Sequence, residues 1–339
     1  MFKISESAVN KAIKLFLLIL EKTSNYFITY HLRPKEACKV KDVPTIYKES
    51  ASKKIAIVMQ GPIISDNNFT IETIKLYSKL FPQNQLIFST WEEEDLDVLN
   101  TIRNLSVDLV LNKKPDFSGS SNINFQIVST SEGVKRAREL GCNYVFKTRS
   151  DQRIYAKDAI SLCYACLKKF PLIGVKNQVE RIVSFNLNTF KYRPYGISDM
   201  NNFGHIDDME KYWCIDLDTR REEDFSQTET LEEYSRQRYA EVYFVTSFLK
   251  NIDRKIEWTL KDSWQVISEN FCILDVNSLD LFWRKYTHKE FRHLDYESIT
   301  TKQFEFTDWL IWQINKPLDI PEYIIKAHWN ELDSFELKE

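Results

Sequence analysis

Between positions 149 and 153 the chain places two guanidinia and one carboxylate, in the run Thr148-Arg149-Ser150-Asp151-Gln152-Arg153. An arginine fork fits phosphate bidentately, and a carboxylate can hold a divalent cation that bridges a diphosphate. The plain alternative is a solvated turn closed by a local Arg–Asp ion pair. Residue type alone leaves the two readings level.

The elements around this run suggest what positions it. Asn143–Lys147 (NYVFK) reads as a strand entering it, after a helix over Phe125–Leu140 that Gly141 stops in the C′ manner. Upstream, Lys54–Gln60 (KIAIVMQ) is a β-branched run expected of a strand buried on both faces, ended by Gly61-Pro62. Helical spacing follows over Thr70–Phe81. Gln85–Ser89 is strand-like, Asp95–Leu105 helical with Asp95 as N-cap, and Val107–Leu111 strand-like again. Alternating strands and helices predict an α/β fold, a mostly parallel sheet with helices on its faces. Beyond Pro171 the pattern weakens: Leu172–Val175 and Gln178–Leu187 read as strands, Tyr195–Trp213 is polar with a glycine-containing aromatic loop bracketed by Asp199 and Asp208, and Glu232–Leu249 reads as a helix. After Asn251 the short aromatic-rich segments show no period that orders them.

In open parallel sheets, ligands bind outside the carboxyl ends of the strands. That rule selects Gln60-Gly61-Pro62, Ser89-Thr90-Trp91-Glu92, Asn112–Asp116 and Thr148–Arg153. Two nucleotide signatures are missing from these turns: there is no G-x-x-x-x-G-K-[ST] and no G-x-G-x-x-G. P-loop enzymes and dinucleotide oxidoreductases are therefore disfavoured. With only 7 glycines in the chain, a phosphate must be held by side chains, a metal or a helix N-terminus.

Composition bounds the rest. At 339 residues, 43% hydrophobic and 28% charged, the chain can bury a sizeable core, and a net charge of −3 gives no support for nucleic acid as partner. The 6 cysteines are scattered in apolar surroundings, as expected of reduced buried thiols. Cys163-Tyr-Ala-Cys166 has C-x-x-C spacing but lies within a helical run, Asp158–Lys169, and no second pair completes a zinc site. Near the N-terminus a helix is expected over Ser7–His31, stopped by Pro34. Its apolar stretch Lys11–Leu20 is too short to span a bilayer and lacks a cleavage site, which predicts a cytoplasmic protein. With Lys3, Lys11, Lys14 and Lys22 nearby, the helix either packs on the domain or lies on the inner, anionic face of the cytoplasmic membrane.

The ordered motifs IVMQGPI (Ile57–Ile63), LIFSTWE (Leu86–Glu92), NINFQIVSTSEGVKRA (Asn122–Ala137) and FKTRSDQRI (Phe146–Ile154) resemble those of the WavE-type lipopolysaccharide-synthesis proteins. The likeness extends more weakly through SDMNNFGHIDDMEKYW (Ser198–Trp213) and RYAEVYFVTSFL (Arg238–Leu249). It implies a GT-A-like nucleotide-sugar-binding fold over residues 51–260. Residues 1–50 would form an N-terminal helix and connector, and 261–339 an α+β extension packed on that domain. It further implies a glycosyltransferase using a nucleotide-diphosphate sugar, UDP-linked, with a glycan or lipid-linked glycan of lipopolysaccharide core, O-antigen or capsule as acceptor. A sugar-phosphate or nucleotidyl transferase, or a glycan-binding scaffold, would use the same strand ends.

Within that frame Gln60, Gly61, Pro62 and Trp91 would meet the nucleotide. Arg149 and Asp151 occupy the place of the GT-A D-x-D motif, so a Mg2+ or Mn2+ ion on Asp151 is in doubt, since a cation replaces one carboxylate. Arg149 or Arg153 could itself neutralise the diphosphate. His328 sits where some GT-A enzymes supply a late metal ligand. Asn122, Asn124 and Gln126 could bond sugar hydroxyls, although helix capping explains both asparagines as well. Glycosyl transfer passes through an oxocarbenium-like state and calls for a carboxylate base. Asp199, Asp207, Asp208 and Glu241 compete for that role, with Asp208 and Glu241 ranked first because Glu241 lies in an apolar helical stretch where a carboxylate is costly to bury.

Overall fold

The computed structural model describes residues 6–24, 54–105, 107–220, 239–284 and 302–315. Contacts divide the chain into two units, residues 1–35 and 36–339. In the first, α1 (Glu6–Thr23) exposes Leu15, Phe16, Leu18 and Ile19. No helix among the described residues is long and apolar enough to cross a membrane.

The second unit is built on a seven-stranded sheet among the described residues. β1 (Ile55–Gln60), β2 (Gln85–Trp91), β3 (Asp108–Asn112) and β4 (Tyr144–Arg149) run parallel. Every β1 residue is buried, as a β-branched strand covered on both faces requires. The helices α2 (Phe69–Leu80), α3 (Leu96–Arg103) and α4 (Ile123–Glu139) connect these strands. Asp95 caps α3 as expected, its carboxylate accepting from Val98 N at 3.0 Å. Gly141, at φ +70°, ends the α4 region. At Gly133 a Cβ would stand 2.4 Å from Val58 Cγ1, so the missing side chain lets α4 lie directly on β1.

Within the polar stretch Tyr195–Trp213, the loop expected between Asp199 and Asp208 is instead largely regular. The stretch contains β7 (Asn202–His205) and α6 (Ile206–Trp213). β7 is antiparallel to β4, with Lys147 opposite Asn202. Its asparagine, glycine and histidine conceal a strand buried by the sheet around it, a tertiary override of propensity. β6 (Ile182–Phe185) is shorter than the strand expected over Gln178–Leu187, and Leu172–Val175 is not a strand. Between them and β4, α5 (Ala159–Lys169) carries the C-x-x-C pair as buried free thiols, in keeping with a packing role.

Past the expected boundary at 260 the chain stays within the same unit. After α7 (Ala240–Asn251) and α8 (Leu260–Asn270), β8 (Phe271–Leu274) joins the central sheet beside β6. β9 (Leu281–Trp283) pairs with β5 (Gln152–Ile154) in a separate ribbon next to the end of β4, and α9 (Phe306–Asn315) follows. The result is an α/β fold, with an antiparallel strand set beside β4 of a parallel 3-2-1-4 core.

Candidate functional site

A cleft of ≈ 790 Å³ lies over the carboxyl ends of β2, β1 and β4. Because β7 runs opposite to β4, the residues entering β7 reach the same edge as those leaving β4. Strands are about 4.8 Å apart, so Trp91 at the end of β2 and Asp199 before β7 are separated by roughly 14 Å across the sheet. That order divides the cleft into an aromatic half, a guanidinium centre and a carboxylate half.

At the aromatic half, Trp91 packs edge-on against Phe125 with ring centroids 5.5 Å apart, and Lys114 lies 6.0 Å from the Trp91 ring centre. Gln60 Oε1 accepts from the Ser129 hydroxyl at 2.7 Å, tying the end of β1 to α4. The next residue, Gly61, has φ +120°, and a Cβ there would stand 2.6 Å from Ser150 Oγ. Only glycine lets the β1 turn pass so close to the β4 turn. Glu94 fixes the same turn by accepting from Ile63 N at 2.9 Å. α4 enters the cleft through two left-handed residues, Ser121 and Asn122 (φ 53° and 61°), and its N-cap Asn122 makes no side-chain cap bond.

In the centre, Arg149 grips Asp151 through Nε (2.8 Å) and Nη2 (3.0 Å), and the Trp283 indole N–H donates to Asp151 Oδ2 at 3.0 Å. Burial works to raise the Asp151 carboxyl, but the guanidinium and the indole outweigh it and hold it below the usual carboxylate range. Both oxygens are thus engaged. Among the described residues no three Asp, Glu, His or Cys groups converge on a metal position. With both Asp151 oxygens taken by Arg149 and Trp283, these residues do not fit a resident divalent cation.

In the carboxylate half, Asp199 and Glu241 line the cleft together. Burial, reinforced by the charge of Asp199 and opposed by Arg193, pushes the Glu241 carboxyl up to about 7. Beneath them Lys147 is fully buried and donates to Gln126 Oε1 at 3.0 Å and to the Asp199 carbonyl. Gln126 Nε2 in turn donates to Asp199 Oδ2. Burial drives the Lys147 amine down to about 7, against the attraction of Asp199.

The cleft therefore brings together Gln60, Gly61, Pro62, Trp91, Asn122, Gln126, Arg149, Asp151, Asp199 and Glu241. Four expected residues stand elsewhere. Arg153 is buried over the Phe69 ring, donating to Thr73 Oγ1 at 3.0 Å and Phe69 O at 3.1 Å, so it secures the first turn of α2. Asn124 exchanges bonds with the Asp218 backbone (2.8 Å and 2.7 Å). Asp208 accepts from Val179 N and Glu180 N, each at 2.8 Å, and anchors that loop. Burial raises Asp208 to about 6, yet it is not among the cleft-lining residues. Asp207 pairs with Arg138. His328 lies outside the described residues. The sequence reading missed Trp283 and Arg193; only the β5–β9 pairing brings Trp283 to the site, a contact with no local signal.

The model of the WavE lipopolysaccharide synthesis family matches residues 55–319. The chain belongs to this family. The WavE match spans the cleft and every described strand of the sheet. Comparison with curated protein sequences finds no match. Among solved structures, HddC from Yersinia pseudotuberculosis is 10% identical with a TM-score of 0.31, covering 47% of this chain and 80% of its own. A glycosyltransferase involved in the glycosylation of the major capsid of PBCV-1 is 14% identical with a TM-score of 0.28, covering 54% and 74%. Mannose-1-phosphate geranyltransferase from Thermus thermophilus is 16% identical with a TM-score of 0.26, covering 42% and 44%. At these values the likenesses carry no inference about activity.

Proposed function

We propose that this WavE family member is a glycosyltransferase that moves a sugar from a nucleotide-diphosphate donor, UDP-linked, to a growing bacterial surface glycan. The observation that carries the reading is the order of chemistry along the cleft: aromatic rings, then a guanidinium, then two carboxylates. The base would lie against Trp91 and Phe125, where an aromatic face offers stacking. The diphosphate would meet Arg149 and the N-terminus of α4, both suited to anions. The transferred sugar would then reach Asp199 and Glu241.

In this reaction the acceptor hydroxyl oxygen attacks the anomeric carbon and the bond to the diphosphate oxygen breaks. The hydroxyl proton passes to Glu241, whose raised pKa suits a base near neutrality. Negative charge gathers on the departing nucleoside diphosphate, where Arg149 meets it. Asp151 positions Arg149, and no step is routed through a metal ion. Gln126, oriented by Lys147, holds the Asp199 carboxylate toward the sugar. A donor acting on a lipid-carried acceptor would also give α1 a purpose, as a helix resting on an anionic membrane surface.

The test is a thermal-shift screen with UDP, GDP and CMP compounds, followed by product analysis with the donor that binds. Saturating ligand should stabilise the fold by about 2.7 kcal/mol at a hundredfold excess over Kd. A product that carries phosphate would replace sugar transfer with sugar-phosphate transfer, and absence of any nucleotide binding would reject the enzyme reading. Activity that persists in EDTA is expected, and strict metal dependence would reject the cationic route.

A further inference from the structure

Arg193 has no part in the reaction just described, yet it lines the cleft together with Asp199 and Glu241, and its charge acts on Glu241. It is held by aromatic faces, with its carbon 3.6 Å from the Tyr239 ring centre and 4.3 Å from that of Phe190. Gly196 makes this path available: a Cβ there would stand 2.5 Å from Arg193 Cδ and 2.7 Å from Cγ. Among the described residues, no hydrogen bond or ion pair engages the guanidinium head. Arginines with a structural duty in this fold look different. Arg153 spends its donors on Thr73 and Phe69, and Arg254 pairs with Asp262 at 2.6 Å. Arg193 also fails to neutralise its acidic neighbour, because Glu241 stays raised to about 7 despite the opposing field of Arg193.

A guanidinium fixed by its faces keeps its edge donors directed outward, ready for a planar or tetrahedral oxyanion. Its place argues for which oxyanion. Arg193 sits in the segment between β6 and β7, on the carboxylate side of Arg149, beyond where the diphosphate would lie and where the sugars would meet. We infer that Arg193 is an oxyanion receptor of the sugar half of the cleft, so that one of the two sugars brought together here bears a carboxylate or a phosphate group. This rests on the transferase reading and narrows its substrate class to acidic glycans.

The experiment titrates the full-length protein with glucuronate, glucose 6-phosphate and glucose, in the presence of the nucleoside diphosphate that stabilises it most. Arg193→Gln and Arg193→Lys are measured alongside, each checked for an unchanged melting profile, and the nucleoside diphosphate is titrated alone against all three proteins. The expected result is that wild type prefers an acidic sugar to glucose by about tenfold, the scale of one charge-assisted bidentate contact. Arg193→Gln should lose that preference, Arg193→Lys should restore part of it, and nucleoside diphosphate affinity should stay unchanged. Glucuronate and glucose 6-phosphate separate a carboxylate from a phosphate as the group recognised. Equal binding of glucose and both acidic sugars by wild type would overturn the inference. So would a tenfold loss of nucleoside diphosphate affinity in Arg193→Gln, which would make Arg193 a diphosphate ligand. If no nucleotide binds at all, the transferase reading fails, while the same sugar titrations without nucleotide still decide the role of Arg193.

Discussion

The Trp283 indole N–H donates to Asp151 Oδ2 at 3.0 Å, on a carboxylate that Arg149 already grips at both oxygens. One residue from the β5–β9 ribbon thereby sets the angle at which the carboxylate of the β4–β5 turn presents its arginine. Asp151→Ala frees Arg149 from that geometry and should lower turnover by at least a hundredfold, the scale lost when a transition-state charge donor is misplaced. Trp283→Phe keeps the packing and deletes one hydrogen bond. Its loss should be about tenfold or less, near 1 kcal/mol. Initial rates with each variant check the order; a Trp283→Phe effect as large as that of Asp151→Ala would place the tryptophan in direct contact with substrate.

Glu241 as the base gives a defined pH profile. Its carboxyl is pushed up to about 7, so turnover should rise with pH and level off above about 7. Glu241→Gln cannot accept the proton and should reduce turnover by 10²–10⁴-fold, roughly the range for loss of a positioned base, with donor affinity little changed. A variant that keeps the wild-type profile would transfer the role to Asp199.

Stability should also depend on pH, in opposite senses for two groups. Between about 4.5 and 7 the folded protein holds a proton on Glu241 that the unfolded chain has released, so this contribution falls as pH rises through that window. Between about 7 and 10.5 the folded protein has lost a proton from Lys147 that the unfolded chain keeps, so this contribution grows with pH. Together they place a stability minimum near neutrality, with slopes of up to about 1.4 kcal/mol per pH unit for each proton. Urea titrations from pH 5 to pH 10 measure it. Glu241→Gln should flatten the acidic arm and Lys147→Met the alkaline arm; an unchanged arm in its matching variant would assign that titration elsewhere.

Gly61 and Ser150 carry a separable cost. Gly61→Ala must adopt φ near +120° and meet Ser150 Oγ at 2.6 Å. A destabilisation of about 1–3 kcal/mol is expected from the backbone conformation, and more from the contact. Ser150→Ala in the same chain should recover only the contact part. A double-mutant cycle by denaturant unfolding reads the coupling, and a coupling of zero would mean that the two turns move apart freely.

The parallel half of the sheet was legible because it advertises itself locally. β1 is a near-continuous apolar run, β2 and β4 each open on a short one, Asp95 and Gly141 mark helix ends, and polar residues gather where the strands stop. Arg149, Asp151 and Gln60 were marked as strand-end residues that way, and all three line the cleft. β7 could not, since Asn-Phe-Gly-His becomes a strand only by pairing with β4 and β6. The candidates that stand outside the cleft have one thing in common: Arg153, Asn124 and Asp208 are polar side chains next to the expected elements but turned inward to satisfy backbone groups. Spacing cannot tell a buried polar group that serves the fold from one that faces a ligand. The partner of each hydrogen bond can.

For α1, exposure suggests its own test. Leu15, Phe16, Leu18 and Ile19 are between 53% and 63% exposed, and Lys11, Lys14 and Lys22 are exposed beside them. Apolar residues drive such a helix into the headgroup boundary, while lysine stems let their charges reach anionic lipid. The full chain should therefore sediment with phosphatidylglycerol vesicles and much less with phosphatidylcholine vesicles. Leu15→Glu with Phe16→Glu should release it, because each substitution removes buried apolar area and adds a repelled charge. High salt should weaken the wild-type association as the surface attraction is screened. Sedimentation that ignores both the lipid charge and the two substitutions would reject the membrane-surface reading of α1 and favour a helix that packs on protein.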